Sequence, residues 1–484
     1  MTERFDAIVV GSGPNGLAAA VTLARAGLSV RVYEGEDHAG GGTATRELTL
    51  PGYRHDVCSA IHPLAFESRF FREFGLSDRV AFQVPEVSFG HPLDGGRAGI
   101  AYRDLGRTAD GLGADGPAYE RLLRPLVERA TRVATFTGSP LLRAPDDPAM
   151  AGLFGIRSME QGSRLWNARF RSDAAPALLT GAAAHTILPQ PGLAAAGAGL
   201  ALTTYAHARG WPIPVGGSGA IADALLDDLH AHGGEIVTGL RVTSLRELPP
   251  ARAVLLDVTP RALIEIAGER MPRRYRRTLA AFRYGAGVAK VDFALTEPVP
   301  WTRPELRAAG TVHVGGTRAE IAASENAVQR GAHPERPYVL VGQQSLFDRT
   351  RAPARHHTLW AYTHVPSGSS VDRTDAVIAQ IERFAPGFRD TILATASATA
   401  VEVEAHNANY PGGDISAGAA TMLQLVRRPV LRADPWRTPI PGVYLASASA
   451  APGPGVHGLV GWYAARSALR HEFDTGILPD LSPR

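Results

Sequence analysis

Gly11, Gly13 and Gly16 carry the most specific chemistry in this chain. They are spaced G-x-G-x-x-G, with Pro14 and Asn15 inside the motif, between the apolar run FDAIVV and the alanine-rich GLAAAVTLARAG. Glycines at this spacing allow a tight turn, close approach of backbone to a pyrophosphate, and close packing of the helix that follows. The free N–H groups and dipole of that helix favour phosphate. Glu34 ends the next apolar run, SVRVYE, where a carboxylate accepts hydrogen bonds from ribose hydroxyls. An acid there repels a 2′-phosphate, so the pattern suits FAD or NAD over NADP. An ordinary glycine-rich turn would need neither the preceding strand nor the placed acid.

Lys290, in RYGAGVAKVDFAL, is the only lysine in 484 residues, while the other basic side chains are arginines. A buried ammonium is a compact charge whose pKa falls on desolvation, whereas a guanidinium is broad and stays protonated. Such a lysine can hold a water or a developing anion beside a redox centre. The plainer alternative is a strand-end lysine reaching solvent. Among 16 histidines, His457 lies in a glycine-rich loop near the C-terminus, and His55 and His62 follow a second glycine cluster at Gly40 to Gly42. His185, His207, Tyr205 and Trp211 sit in an apolar middle region and are candidates to line a substrate pocket, with core packing as the competing fate. Asp56 and Asp414 read as structural and Cys58 as a small buried hydrophobe. No cysteine pair, H-x-x-x-H or H-E-x-x-H spacing supports a metal site.

These groups need a frame. The first 35 residues read as strand, glycine turn, helix and strand. Near the middle, IADALLDDLHAHGGEIVTGLRVTSL reads as a helix and two strands, and ARAVLLDVTP as a buried strand. The C-terminal GVYLASASA and LVGWYAARSALRHEF repeat the strand–loop–helix order. One α/β layer thus begins and ends the chain with other material inserted. The expected division is a discontinuous dinucleotide domain (1–85, 213–268 and 405–475), a substrate domain (86–212 and 269–404) and a tail (476–484). The stretch APALLTGAAAHTILPQPGLAAAGAGLALTTYA is small and apolar, suited either to a helical core or to a long hydrophobic cavity.

Composition sets the limits. Hydrophobic residues make up 45% and charged residues 20%, with a formal net charge of +3 and no basic–aromatic tract for nucleic acid. One cysteine forbids an intrachain disulfide. A strand beginning within a few residues of Met1 leaves no room for a signal peptide, and no apolar run reaches the roughly 20 residues of a membrane span. A cytoplasmic protein is expected, with peripheral membrane contact through the apolar middle region.

The stretches GSGPNGLAAA, GGGTATRELTLPGYRHDVCSAIHPL, GWPIPVGGSGAIADAL, GAGVAKVDFAL, NYPGGDISAGA and PGVYLASASAAPGPGVHGLVG resemble the phytoene-dehydrogenase-related FAD oxidoreductases of the flavin amine oxidase superfamily. The resemblance covers nearly the whole chain. It implies an α/β Rossmann-like FAD-binding domain with an inserted α+β substrate domain. Gly41, Gly42 and Thr43 would lie along the pyrophosphate, Val242 beside the adenine, and Ser447, Gly455, Val456 and His457 at the flavin ring. Lys290 would reach flavin N5 through a water. The chain departs from its relatives at Ala44, where many carry an arginine, and at Ser447, Ala450, Ala451 and Pro454. The activity implied is oxidation of a hydrophobic small molecule. An amine oxidase and a flavin-retaining scaffold without turnover are the alternatives. A second G-x-G-x-x-G is missing, which points to dioxygen or a quinone as electron acceptor.

Overall fold

The computed structural model describes residues 4–483. A five-stranded parallel sheet has the order Val443–Leu445, Ala251–Leu256, Phe5–Val10, Val30–Tyr33 and Glu235–Val237. Its central strand, FDAIVV, is buried at every residue but Asp6, as a parallel strand covered on both faces must be. The helix Pro14–Arg25 starts with proline at its first position, where the missing N–H costs no helical bond, and is buried from Asn15 to Ala24. The C-terminal helix Leu459–Glu472 crosses it so closely that a Cβ on Gly461 would stand 1.7 Å from the Asn15 carbonyl oxygen. Gly458, which opens that helix, packs against Ala18 and Phe70. The last helix therefore meets the first at the start of the first.

A second, seven-stranded sheet has the order Ile392–Ala398, Gly287–Leu295, His357–Val365, Val339–Gly342, Ala309–Val314, Val87–Leu93 and Arg97–Tyr102. Its neighbours are antiparallel except for the parallel pair Val87–Leu93 and Ala309–Val314. One face buries Val291, Phe293, Val312, Val339 and Val341 in an aliphatic core. Side chains alternate along a strand, so Lys290, Asp292, Thr311, His313, Leu340, Trp360 and Tyr362 share the opposite face. The helices Ala174–Ala184 and Leu193–Ala208, from the alanine- and glycine-rich stretch, pack together closely, and a Cβ on Gly199 would meet Ala183 at 2.8 Å.

One expected element is missing. RVTSL follows the strand Glu235–Val237 as irregular chain, because Thr243 N and Oγ1 both donate to the Glu247 carboxylate and close a local turn. Among the described residues, no helix is long and apolar enough to cross a membrane.

Candidate functional site

One cavity of about 1070 Å³ runs between the two sheets, at the top of the roughly 300–1,000 Å³ range of ligand sites. Its nucleotide end is built from backbone. Gly11 turns at φ +95°, and a Cβ on Gly16 would fall 2.1 Å from the Gly11 carbonyl oxygen, so neither position tolerates a side chain. Gly11, Ser12, Gly13, Pro14, Asn15, Glu34, Gly41, Gly42 and Val242 line this end. The Glu34 carboxylate accepts hydrogen bonds from Ser12 N at 2.8 Å, Ser12 Oγ at 2.5 Å and Glu36 N at 3.0 Å, which fixes it beside the glycine loop. Gly16 and Thr43 stand behind the lining. Gly16 N donates to Asp257 and Thr43 Oγ1 donates to the Gly40 carbonyl.

The sequence reading passed over Asp257. Its buried carboxyl closes the strand Ala251–Leu256 and accepts Gly16 N–H at 2.9 Å. Burial pushes it up to about 7, against the pull of that N–H and with a further push from the Glu34 charge. The available signal was an acid ending an otherwise apolar run.

The C-terminal loop closes one side, with Ser447, Gly455, Val456 and His457 in the lining. His457 Nδ1 accepts from Leu459 N at 3.0 Å, Nε2 faces the Gly453 carbonyl at 3.1 Å, and its own carbonyl accepts from Ser68 Oγ. Both ring nitrogens thus serve the loop, and burial holds the ring neutral, with its pKa pushed down to about 4. Arg428, fully buried, donates to the carbonyls of Ser416, Gly418 and Ala448 and ties a facing loop to this one.

The sheet end is built from side chains. Thr311, Leu340, Trp360 and Tyr362 line it with His185 and Trp211. His185 Nε2 lies 2.9 Å from His313 Nε2, and Trp211 stacks on Phe89 at 4.7 Å between centroids. Burial pushes His185 down to about 3. On the helix Leu193–Ala208, residues Ala194, Gly197, Ala198, Ala201 and Tyr205 line the cavity at helical spacing, and the small size of the first four leaves the volume open. Tyr205 holds Thr137 Oγ1 at 2.9 Å. His62 also lines the cavity, bonded to Ser218 Oγ at 2.8 Å. Cys58 faces it and is half-buried.

His207, Lys290 and His55 lie off the cavity. His207 is spent on Tyr119 Oη at 3.0 Å and the Tyr102 carbonyl at 2.7 Å, a core role. Lys290 is not a lysine reaching solvent. Its ammonium is ion-paired with Asp292 two residues along the same strand face, and His55 Nδ1 stands 3.5 Å from the other Asp292 oxygen. His55 Nε2 bonds Thr49 Oγ1.

Residues 9–74 match the NAD(P)-binding Rossmann-like domain family. The chain is 25% identical to the pyridine nucleotide-disulfide oxidoreductase domain-containing protein 2 of Rattus norvegicus, across 97% of this chain and 94% of that protein. An oxidoreductase from Methanosarcina mazei superposes at a TM-score of 0.60 with 16% identity, over 97% of this chain and 100% of that one. A putrescine oxidase double mutant superposes at 0.61 with 17% identity, over 97% and 99%. The fold is therefore the amine-oxidase fold, a Rossmann-like parallel sheet joined to a mixed-sheet domain.

Proposed function

We propose that this protein is an FAD-dependent oxidoreductase, phytoene-desaturase-like, that oxidises a hydrophobic small molecule. The observation that carries this reading is the single cavity joining a glycine-loop nucleotide cradle to an alanine-, leucine- and aromatic-lined chamber. The cradle fits the ADP half of FAD. Its floor is backbone, Glu34 is placed for the ribose, and Asn15 Oδ1 is buried there without a partner among the described residues. FAD bound here would supply a hydride acceptor at N5. The protein's own part is to exclude water, to orient the substrate along the small-residue face of Leu193–Ala208, and to hold Lys290, with Asp292, on the face of the sheet turned toward the cavity. Dioxygen or a quinone is the acceptor that completes turnover.

Leu141, Met159, Leu193 and Met422 line the cavity and are also solvent-exposed, with exposed Leu142, Ile156 and Leu423 close to them in sequence. This apolar mouth supports uptake of substrate from a membrane surface by peripheral contact. A second reading, an amine oxidase, draws on Trp360 and Tyr362, which stand edge-to-face at 5.1 Å in the cavity wall. A purified protein without yellow colour sinks both readings. Anaerobic mixing with polyene, acyl and amine panels separates them by which class bleaches the flavin. A yellow protein that none of them bleaches returns the scaffold alternative.

A further inference from the structure

The sheet end of the cavity holds polar groups that the hydrophobic-substrate reading does not use. Strand register places Thr311, Gly342 and Trp360 on one cross-strand row, with His313, Leu340 and Tyr362 on the next. Gly342 contributes no side chain to its row, and the amide of Gln344 folds into that space, with Nε2 3.0 Å from where a Cβ would stand. Thr311 Oγ1, Trp360 Nε1 and Gln344 Nε2 are all buried and have no hydrogen-bond partner among the described residues. Thr311 and Trp360 are 1% and 6% exposed, and both line the cavity. A buried unpaired polar group costs about 1–3 kcal/mol, so two on one row of the cavity wall, with a third folded over Gly342 between them, call for a common partner.

The chemistry of the three groups selects that partner. The indole and the amide nitrogen only donate, and a threonine hydroxyl can donate as well. The ligand atom must therefore accept two or three hydrogen bonds, as a carbonyl oxygen does. A charged head is disfavoured. Arg241, beside Val242 at the nucleotide end, is the one arginine or lysine among the described lining residues, so a carboxylate finds no counter-charge here. Away from the nucleotide end the lining acid is Glu67, whose charge is faced by Arg72 at 3.8 Å and Arg209 at 3.7 Å although neither of its oxygens has a hydrogen-bond partner among the described residues. The neighbouring imidazoles, His185 and His313, are held neutral by burial.

We propose that Thr311, Trp360 and Gln344 form a carbonyl-recognition subsite. The substrate is then a hydrophobic molecule bearing a neutral carbonyl, not a pure hydrocarbon, an acid or an amine. This deepens the hydrophobic-substrate reading above and rests on it. Trp360 lies one strand from the Lys290–Asp292 pair, directly opposite Asp292, and Thr311 lies three strands away, roughly 14 Å at normal strand spacing. The carbonyl is thereby anchored on the strands that follow the Lys290–Asp292 pair across the sheet.

Trp211 and Trp360 both line the cavity, so tryptophan fluorescence of the protein as purified reports occupancy independently of turnover. Titration with 2-undecanone, undecane, undecanoate and undecylamine should show the ketone binding at least tenfold tighter than the alkane, with no gain for either ion. Thr311→Val and Gln344→Leu should each weaken the ketone by about 5- to 10-fold, one hydrogen bond apiece, and leave undecane unchanged. Their thermal midpoints should not fall, because an unpaired polar group is removed. Trp360→Phe should act alike, read through Trp211. Ketone and alkane binding within twofold of each other, tightest binding by an ion, or variants that weaken both neutral probes equally would overturn the subsite. An absence of any saturable signal overturns it together with the hydrophobic-substrate reading. A colourless protein that still prefers the ketone overturns the flavin reading alone.

Discussion

At the nucleotide end the cavity wall is mostly backbone, shaped by glycines between residues 11 and 42, with Asp257 brought in from a neighbouring strand. At the sheet end it is side chains from three strands and a helix hairpin, drawn from residues 185 to 362. Their buried titratable groups differ in the same way. The nucleotide end holds a carboxyl pushed up, to about 7, and the sheet end holds a histidine pushed down, His185 at about 3. Burial is the first cause in each case, and it disfavours whichever form is charged. One end is therefore sensitive to shape and to base, and the other to hydrogen-bond register and to acid.

The largest effect is expected from Gly16→Val. It drives a Cβ onto the Gly11 carbonyl, a backbone group that cannot move aside, and should yield no folded protein with flavin absorbance. A folded, yellow Gly16→Val protein would break the account of a backbone cradle.

Acid should come next. His62, His91, His185, His207 and His457 are all neutral in the fold, with values depressed to between about 3 and about 4. Their contribution is fully present above the ordinary histidine value of 6.5 and is lost as pH falls from 6.5 through the folded values. By pH 5 each has lost about 2 kcal/mol, and several together approach the 5–15 kcal/mol stability typical of a native protein. Denaturant unfolding at pH 7.5 and pH 5 should show most of the stability gone at the lower pH. A flat profile would contradict neutral burial of these rings.

Lys290→Met leaves Asp292 buried without its cation and should cost about 3–5 kcal/mol. Adding Asp292→Asn should restore most of that in denaturant unfolding. The double variant then isolates the redox role: slower reoxidation of reduced flavin by dioxygen supports Lys290 at the flavin, and an unchanged rate leaves it as an ion-pair residue.

Asp257→Asn is the smallest change. The raised carboxyl of Asp257 contributes fully only below its ordinary range, and that contribution is lost as pH rises toward about 7. The amide escapes this loss and keeps an acceptor for Gly16 N. The variant should gain about 1–2 kcal/mol at pH 7, with the gain shrinking toward pH 4. Equal gains at both pH values would show that the carboxyl is ionised throughout.

The nucleotide end was legible because its determinants are local. Gly11, Gly13, Gly16 and Glu34 fall within one strand–helix–strand unit, and their spacing alone implies the turn and the acid. Asp257 escaped notice because it reaches the same turn from a strand more than two hundred residues away. At the sheet end His185 and Trp211 were visible as candidates only by residue type. His207 carried the same signal and is a core residue. Thr311, Trp360 and Gln344 gave no signal, since no spacing in the chain links them.

The sequence by itself determined the α/β class, the glycine cradle with its acid, and the singularity of Lys290. Turn geometry and helix starts depend on near neighbours in the chain. Only the tertiary structure decided that Lys290 pairs with Asp292, that His457 serves its own loop, and that two unpartnered polar groups share one row of the sheet with a third folded over it. Those outcomes depend on which strands lie side by side and in what register, and register is set by long-range packing.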